Sequence, residues 1–346
     1  MKTPNIRRRQ FHSHPAVPCL AGVAFLMAAA SLCQAQLTPG QISQIKAINE
    51  SRVSSFDVLA GDYGVSGGTY SSGGGHGING FDVNVSKFGG MGVIGFGPLG
   101  SPLPLGNTGI GWQPQVQGSM GYMTADKRFG DNTPNLTGDV IKYNTFAIQF
   151  GGGAKFWLND RISFTPSIMG MYGHTENEYN HNGTGLTQSQ YEDAVQAGLI
   201  GWNVDSWTVR PAGELAYNYV WGRTIFTLST SGTYYYTESF QSSSDNFNIY
   251  SGAEIWKTKI DVDTPLGVEL FGHELRTGGY YARDQFYGDL QQGLNTDYLN
   301  EIHGRIVLDF LNQLWKVQWL GIGVSYLWGA NDLHGVAYGI DACFRF

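Results

Sequence analysis

LHGVAYGIDACFRF, residues 333–346, is the stretch that decides the fold. Counting back from Phe346, every second residue is apolar: Phe344, Ala342, Ile340, Tyr338 and Val336. Between them stand small or charged residues: Arg345, Cys343, Asp341, Gly339, Ala337 and Gly335. A period of two with one apolar face is a β-strand. An apolar face that ends on an aromatic residue suits a membrane interface.

The composition agrees with that strand. Forty-nine glycines, 14% aromatic and only 14% charged residues suit a wall with lipid on one side and aromatic girdles at both interfaces. Mean hydropathy is −0.19, as expected where apolar residues are interleaved with polar ones. Beyond residue 35 no segment has the roughly 18 consecutive apolar residues a transmembrane helix needs.

The N-terminus reads as a targeting segment. Lys2, Arg7, Arg8 and Arg9 form a basic region, residues 19–32 (CLAGVAFLMAAASL) an apolar one, and Cys33-Gln34-Ala35 a cleavage site before Gln36. Residues 1–35 are therefore expected to be a Sec-type signal peptide. Its removal takes away four basic residues and no acids, moving the net charge from −7 to −11. That acidity argues against nucleic acid as a partner. Cys19 and Cys33 leave with the signal, so Cys343 has no partner and no disulfide framework is expected.

Residues 38–52 (TPGQISQIKAINESR) read as a helix, with Thr38 as cap, Pro39 in the first turn and Ile42, Ile45 and Ile48 on one face. Residues 36–54 are thus a helical segment, either a plug in a lumen or a periplasmic lid. Strand and turn then alternate over 55–346. Twelve strands are expected, at 55–63, 78–88, 109–123, 142–158, 162–172, 207–220, 224–237, 249–262, 266–281, 302–311, 318–328 and 333–346. The connections at 159–161, 221–223, 263–265 and 312–316 are short, whereas 124–141, 173–206, 238–248 and 283–301 are long and polar. Short turns belong to the periplasm and long loops to the outside. The link 89–107 is too long for a periplasmic turn, and 329–332 is short for an external loop.

The strand faces separate cleanly. Trp207, Val209, Leu215, Tyr217 and Tyr219 oppose Thr208, Arg210, Glu214 and Asn218; Ile302, Ile306 and Leu308 oppose His303, Arg305 and Asp309. A charged side chain facing lipid at mid-depth costs about 2–4 kcal/mol, so the polar sets must point inward. The expected lumen lining is Lys155, Arg210, Glu214, Lys257, Lys259, Glu269, His273, His303, Arg305, Asp309, Asp341 and Arg345. Glu274 and Arg276 fall on the lipid-side parity of their strand, which calls for a bulge or an extension beyond the membrane.

A terminal Phe346 with Phe344, Ile340 and Tyr338 at alternate positions resembles the assembly signal of outer-membrane β-barrels. Together with a signal peptide, one short helix and about twelve strands, it resembles the translocator domain of autotransporters. The resemblance implies an all-β, transmembrane, antiparallel up-and-down barrel in a Gram-negative outer membrane. It also implies outer-membrane lipid and the barrel assembly machinery as partners, and a helix running through the lumen ahead of the first strand. One departure stands out: fewer than twenty residues lie between Gln36 and the first expected strand, where autotransporters carry a passenger. The chain therefore looks like a solitary autotransporter-like barrel, and its role must be argued from a site, not from the fold.

No enzymatic chemistry emerges from the spacing. His76, His174, His181, His273, His303 and His334 have no Ser in a His-x-Ser arrangement, and no Cys/His cluster has zinc spacing. Asp332-Leu333-His334 has a two-residue spacing seen in surface proteases but no matching acidic pair. Gly73–Gly75 and Gly151–Gly153 do not lead into helices and are not phosphate loops. No enzyme, cofactor or metal is expected. The reading is a structural, pore or transport barrel, its lumen charges either a salt-bridged interior or a selectivity lining for a small solute. Its alternative is a surface module that binds a ligand through external loops such as 173–205.

Overall fold

The computed structural model describes residues 39–61, 66–70, 82–93, 103–106, 108–128, 138–180, 192, 195, 200–243, 248–314, 317–331 and 333–345. The expected signal peptide and Thr38 lie outside them. Helix α1 spans Pro39–Gly61 and a short helix, α2, spans Asp289–Leu294. The strands are β1 Ser66–Tyr70, β2 Asp82–Val93, β3 Leu103–Pro104, β4 Gly111–Arg128, β5 Val140–Trp157, β6 Ile162–Asn180 and β7 Asn203–Trp221. They continue with β8 Thr224–Ser242, β9 Tyr250–Leu270, β10 His273–Gly288, β11 Tyr298–Leu314, β12 Val317–Gly329 and β13 His334–Arg345.

From β4 to β13 each strand pairs antiparallel with the next, β2 pairs with β4, and β1 pairs with both β2 and β13. The sheet closes on itself. β3 adds only two residue pairs beside the start of β4, at Trp112 and Gly111, so among the described residues twelve strands form the wall. The end of the long link after β2 thus extends the pairing of β4.

Several sequence expectations are corrected. The expected loops 124–141, 173–206 and 283–301 are shorter, because strands long enough to project beyond the apolar band carry on into them: β4 to Arg128, β6 to Asn180, β7 from Asn203, and β10 to Gly288 followed by α2. Residues 55–61 are not strand but the last two turns of α1, and the first wall strand is Ser66–Tyr70. Phe56, Val58 and Ala60 alternate like a strand, yet all three are buried, as helix residues enclosed on every side must be. Nor does 263–265 form a turn. β9 continues to Leu270 and the reversal falls at Phe271 (φ 55°) and Gly272 (φ 77°), two positive-φ residues that match a two-residue hairpin turn. Pro265 instead sits where the β9–β10 register shifts between Leu275 and Arg276, a place where a residue without an N–H is tolerated. The two extra residues there belong to β9, so the parity of β10 is unbroken: Glu274 and Arg276 share the inward side of Tyr280 and Ala282, correcting their expected lipid-side placement, and Arg276 Nε donates to Asp263 at 2.7 Å.

The outer face is apolar. Ile148, Phe150, Ile168, Leu215, Leu228, Ile260, Ile306 and Ile322 are exposed at its middle, and Tyr122, Tyr172, Trp207, Tyr250, Tyr281 and Tyr326 towards one end. Rings join laterally there, Trp207 to Tyr236 at 5.5 Å and Tyr236 to Tyr250 at 5.3 Å. Trp221, Tyr219 and Phe271 mark the other end. The short turns lie at that second end, which is therefore periplasmic. At 158–161 the turn is closed by Asn159 Oδ1, which accepts from the backbone N–H of Arg161 and Ile162 at 2.8 Å each.

Helix α1 enters from the external end. Gly293 of α2, in the β10–β11 loop, touches the Ser51 carbonyl; Asp57 lies level with Thr175 and Ser206; Gly61 lies level with Ser119 and Met171. The helix thus descends from the rim to mid-lumen. At 1.5 Å per residue its 23 residues span about 35 Å. Its depth sets the length of β1. Ser119 pairs with Gly89, and β1 begins two residues higher, with Ser66 opposite Lys87. Only the external half of this position in the wall is filled by β1. Below it β2 and β13 meet directly and in parallel, at Gly92–Phe344 and Val93–Arg345.

Candidate functional site

The lumen has two halves of different chemistry. The external half is a packed apolar core in which Val53, Phe56, Val58 and Ala60 of α1 meet Met123, Ile141, Tyr143, Met171, Trp202, Tyr235, Phe286 and Leu290. Phe56 packs edge-on against Tyr143 at 5.3 Å, and Tyr143 against Trp202 at 6.0 Å. Residue size sets how closely the parts approach. A Cβ on Gly293 would fall 2.3 Å from the Ser51 carbonyl oxygen, and one on Gly61 would collide with the Met171 sulfur. The helix's own hydroxyls turn back onto its backbone, Ser51 Oγ donating to the Ile48 carbonyl at 2.9 Å and Ser55 Oγ to the Ser51 carbonyl at 2.7 Å. The wall caps the helix end: Ser119 Oγ donates to the Gly61 carbonyl at 2.6 Å, satisfying one of its open acceptors.

One ionisable group of α1 lies inside this core. Asp57 is fully buried and accepts from Ser206 Oγ at 2.6 Å and Thr175 Oγ1 at 3.4 Å. Burial pushes its acidity from the ordinary 3.8 up to about 7, and the two hydroxyls and the charge of His174 only partly oppose this.

Below Gly61 the lumen is polar. Gln115, Gln117 and Gln149 line the β4–β5 side. Arg210 stands at the level of Met169, with Nη1 donating to its sulfur at 2.8 Å and Nε to Tyr235 Oη at 3.2 Å. A cation beneath the carboxyl end of a helix complements its dipole. Lys155 lies over the Trp157 ring at 4.2 Å, within the field of Glu214. The opposite wall carries a continuous ion-pair series. Lys257 meets Asp284 at 3.2 Å and Lys259 meets Asp261 at 4.0 Å. Arg305 meets Asp261 at 2.8 Å and Asp263 at 3.7 Å. Arg276 bonds Asp263 and lies 3.6 Å from Glu274, which also bonds Arg223. The series runs from the periplasmic turn at Arg223 up towards α2.

Of the residues singled out in the sequence, Arg210, Lys257, Lys259, His303 and Arg305 occupy this lining, with Lys155 and Glu214 across from them. Asp309 stands half-buried lower on β11, opposite Glu274. His273 does not line the lumen as expected: it has the outward parity of Tyr281 and packs its ring at 4.6 Å on Phe310, which has the outward parity of Ile302 and Ile306, while Glu269 is exposed near the β9–β10 turn. The side chains of Asp341, Phe344 and Arg345, and the whole of Phe346 and Asp332, lie outside the described residues. Tyr338 and Ile340 face outward and exposed. Asp261, Asp263 and Arg276 had not been singled out. The first two continue the parity of Lys257 and Lys259, and Arg276 continues that of Tyr280 and Ala282, so the signal was present in both strands.

A Ser–His–acid cluster does occur in the lumen. His303 Nδ1 lies 2.9 Å from Ser325 Oγ, Ser325 Oγ donates to Glu301 at 2.6 Å, and Tyr280 Oη donates to Glu301 at 2.8 Å while its ring stacks on His303 at 4.7 Å. Glu301 bonds the serine, and the cluster joins β10, β11 and β12. Among the described residues no group of three metal-ligating side chains is found.

Residues 100–336 match the family model described as the solitary outer membrane autotransporter β-barrel domain. No curated protein matches. Among solved structures, the transport unit of the autotransporter AIDA-I from Escherichia coli is similar, with a TM-score of 0.53 and 10% identity over 90% of this chain and 100% of that one. The translocator domain of the autotransporter NalP from Neisseria meningitidis gives 0.49 at 12% identity, over 94% and 100% of the two chains. The β domain of the Bordetella autotransporter BrkA gives 0.47 at 12% identity, over 81% and 97%. At such identities the likeness to AIDA-I is one of fold alone.

Proposed function

The chain belongs to the family of solitary outer membrane autotransporter β-barrel domains, and on that premise we propose that it is a pore-forming barrel held shut by its own N-terminal helix. The observation that carries this reading is the burial of the descending half of α1: Val53, Phe56, Asp57 and Ala60 are each at most 1% exposed, enclosed by wall strands and α2. Packing of this density leaves no room for a solute beside the helix. With the helix out, the remaining lining would be the glutamines of β4 and β5 and the ion pairs of β9–β11. Those charges nearly balance in sign, so the open pore would select by size more than by charge. In this reading residues 1–35 are the export signal, cleaved near Ala35, and Tyr338, Ile340, Phe344 and Phe346 form the strand offered to the barrel assembly machinery.

The test is single-channel conductance of the refolded mature protein in a planar bilayer, with and without residues 36–61. The full protein should be almost silent and the shortened one should conduct. Equal conductance in both would refute the helix as the closing element, and silence in both would refute the pore.

A further inference from the structure

We propose that Asp57 makes the seating of α1 depend on pH: the helix is held as a neutral acid and loosened when that acid ionises. This rests on the proposed reading of α1 as the closing element, but its test does not require a pore. The geometry disfavours the charged form by enclosing the carboxyl without a counter-ion, against two donated hydroxyl bonds that favour it. Asp57 stands under Gly173, where a Cβ would come within 2.6 Å of the carboxyl atoms, so the strand backbone closes directly over it. Its partners are two hydroxyls, Ser206 Oγ and Thr175 Oγ1, the latter shared with Thr145 Oγ1 at 2.9 Å. No cation lies within ion-pair distance of Asp57 among the described residues.

The charged groups around it are accounted for element by element. From β6, His174 exerts a pull through the wall from the outer face, where its ring is bonded to Asp205 at 2.8 Å and Glu176 at 3.3 Å. From β4, Lys127 is near Arg52, more than a turn earlier on α1. β5 presents Tyr143 and Thr145, β7 presents Ser206, and Asp289 of α2 accepts from the Gly252 N–H at 2.9 Å. A carboxylate here would be buried without a counter-ion, a costly state.

The direction follows from linkage. The seated acid titrates at about 7 and the released one at an ordinary 3.8. Seating is strongest below the released value, where both forms are protonated. It weakens as pH rises between the two values, and above the seated one it stays at its weakest. Between pH 5 and pH 8 the seating equilibrium should weaken roughly 100-fold. The barrel is therefore shut more firmly in acid surroundings than at neutrality.

The experiment is amide hydrogen exchange of the refolded full-length protein, read as protection factors for residues 53–61 at pH 5 and pH 8 after correction for intrinsic rates. Protection in this segment should fall about 100-fold from pH 5 to pH 8, while the strand amides of β4–β7 change little. In Asp57→Asn, an uncharged near-isostere, the helix should keep equal protection at both pH values. Ser206→Ala removes a bond that favours the ionised form, so its midpoint should move upward; this variant keeps the test open if Asp57→Asn does not fold. Equal protection of the parent at both pH values would overturn the proposal, as would a parallel fall in Asp57→Asn or an unmoved midpoint in Ser206→Ala. A pH-dependent protection together with unchanged conductance on helix removal would instead overturn the pore reading and leave the pH-dependent seating standing.

Discussion

Arg305 shows how single residues hold the lower lumen. Its guanidinium bridges Asp261 and Asp263 across β10 beside Gly278, where a Cβ would lie 2.7 Å from the Val262 carbonyl oxygen and 3.3 Å from Arg305 Nε. With its side chain about 15% exposed, the group is partly screened, so the full penalty of orphaning a buried pair does not apply. Arg305→Ala should destabilise the barrel by about 1–2 kcal/mol. A lowered urea midpoint for the refolded protein would show it, and an unchanged midpoint would mean the series is ornamental. Gly293 plays the corresponding part in the upper lumen. Gly293→Val would drive a branched side chain into the Ser51 carbonyl, and backbone cannot yield as a flexible side chain can. Brief conductance openings should appear in this variant without loss of the folded barrel; a silent channel would argue that α2 does not retain the helix.

At the level of elements, the sequence told strands from loops more reliably than it placed the first of them. The C-terminal alternation as far as Ile340 and the face separation of β7 and β11 were legible because period-two patterning is rigid when one face meets lipid. Helix α1 was legible only to Arg52. Beyond that, only Ser55-Phe56-Asp57-Val58 alternates polar and apolar residues before the apolar Leu59-Ala60, and so short a window cannot separate a strand from a helix buried all round. The same ambiguity hid Asp57, whose place in the site depends on the helix being inside the barrel. Asp263-Thr264-Pro265 misled for another reason: turn-like residues occupied a bulge, which shares their tolerance for missing hydrogen bonds. The helix should also answer to its largest buried side chain. Phe56→Ala would remove the edge contact to Tyr143 and leave a cavity, costing about 3–5 kcal/mol of seating. Loss of exchange protection confined to 53–61 would bear this out, whereas a fall shared by the wall strands would place Phe56 in the barrel's own stability.

The whole molecule is a barrel whose wall and closure are interdependent. α1 descends only to the level of Ser119, so β1 starts high and stays short, and β2 must meet β13 in parallel beneath it. A helix reaching the periplasmic end would have allowed a full-length first strand. The contacts also fix which side the helix enters from: Ser51 meets Gly293 of α2, Asp57 meets Thr175 and Ser206 and Gly61 meets Ser119, so the start of α1 lies towards the end opposite the short turns. The most direct measurement is therefore the side on which that end is reached. A cysteine at Ala47, which is exposed, in a Cys343→Ser background would be treated with a membrane-impermeant maleimide on intact cells. Labelling without permeabilisation is the expected result. Labelling only after the outer membrane is breached would contradict a helix that closes the barrel from outside.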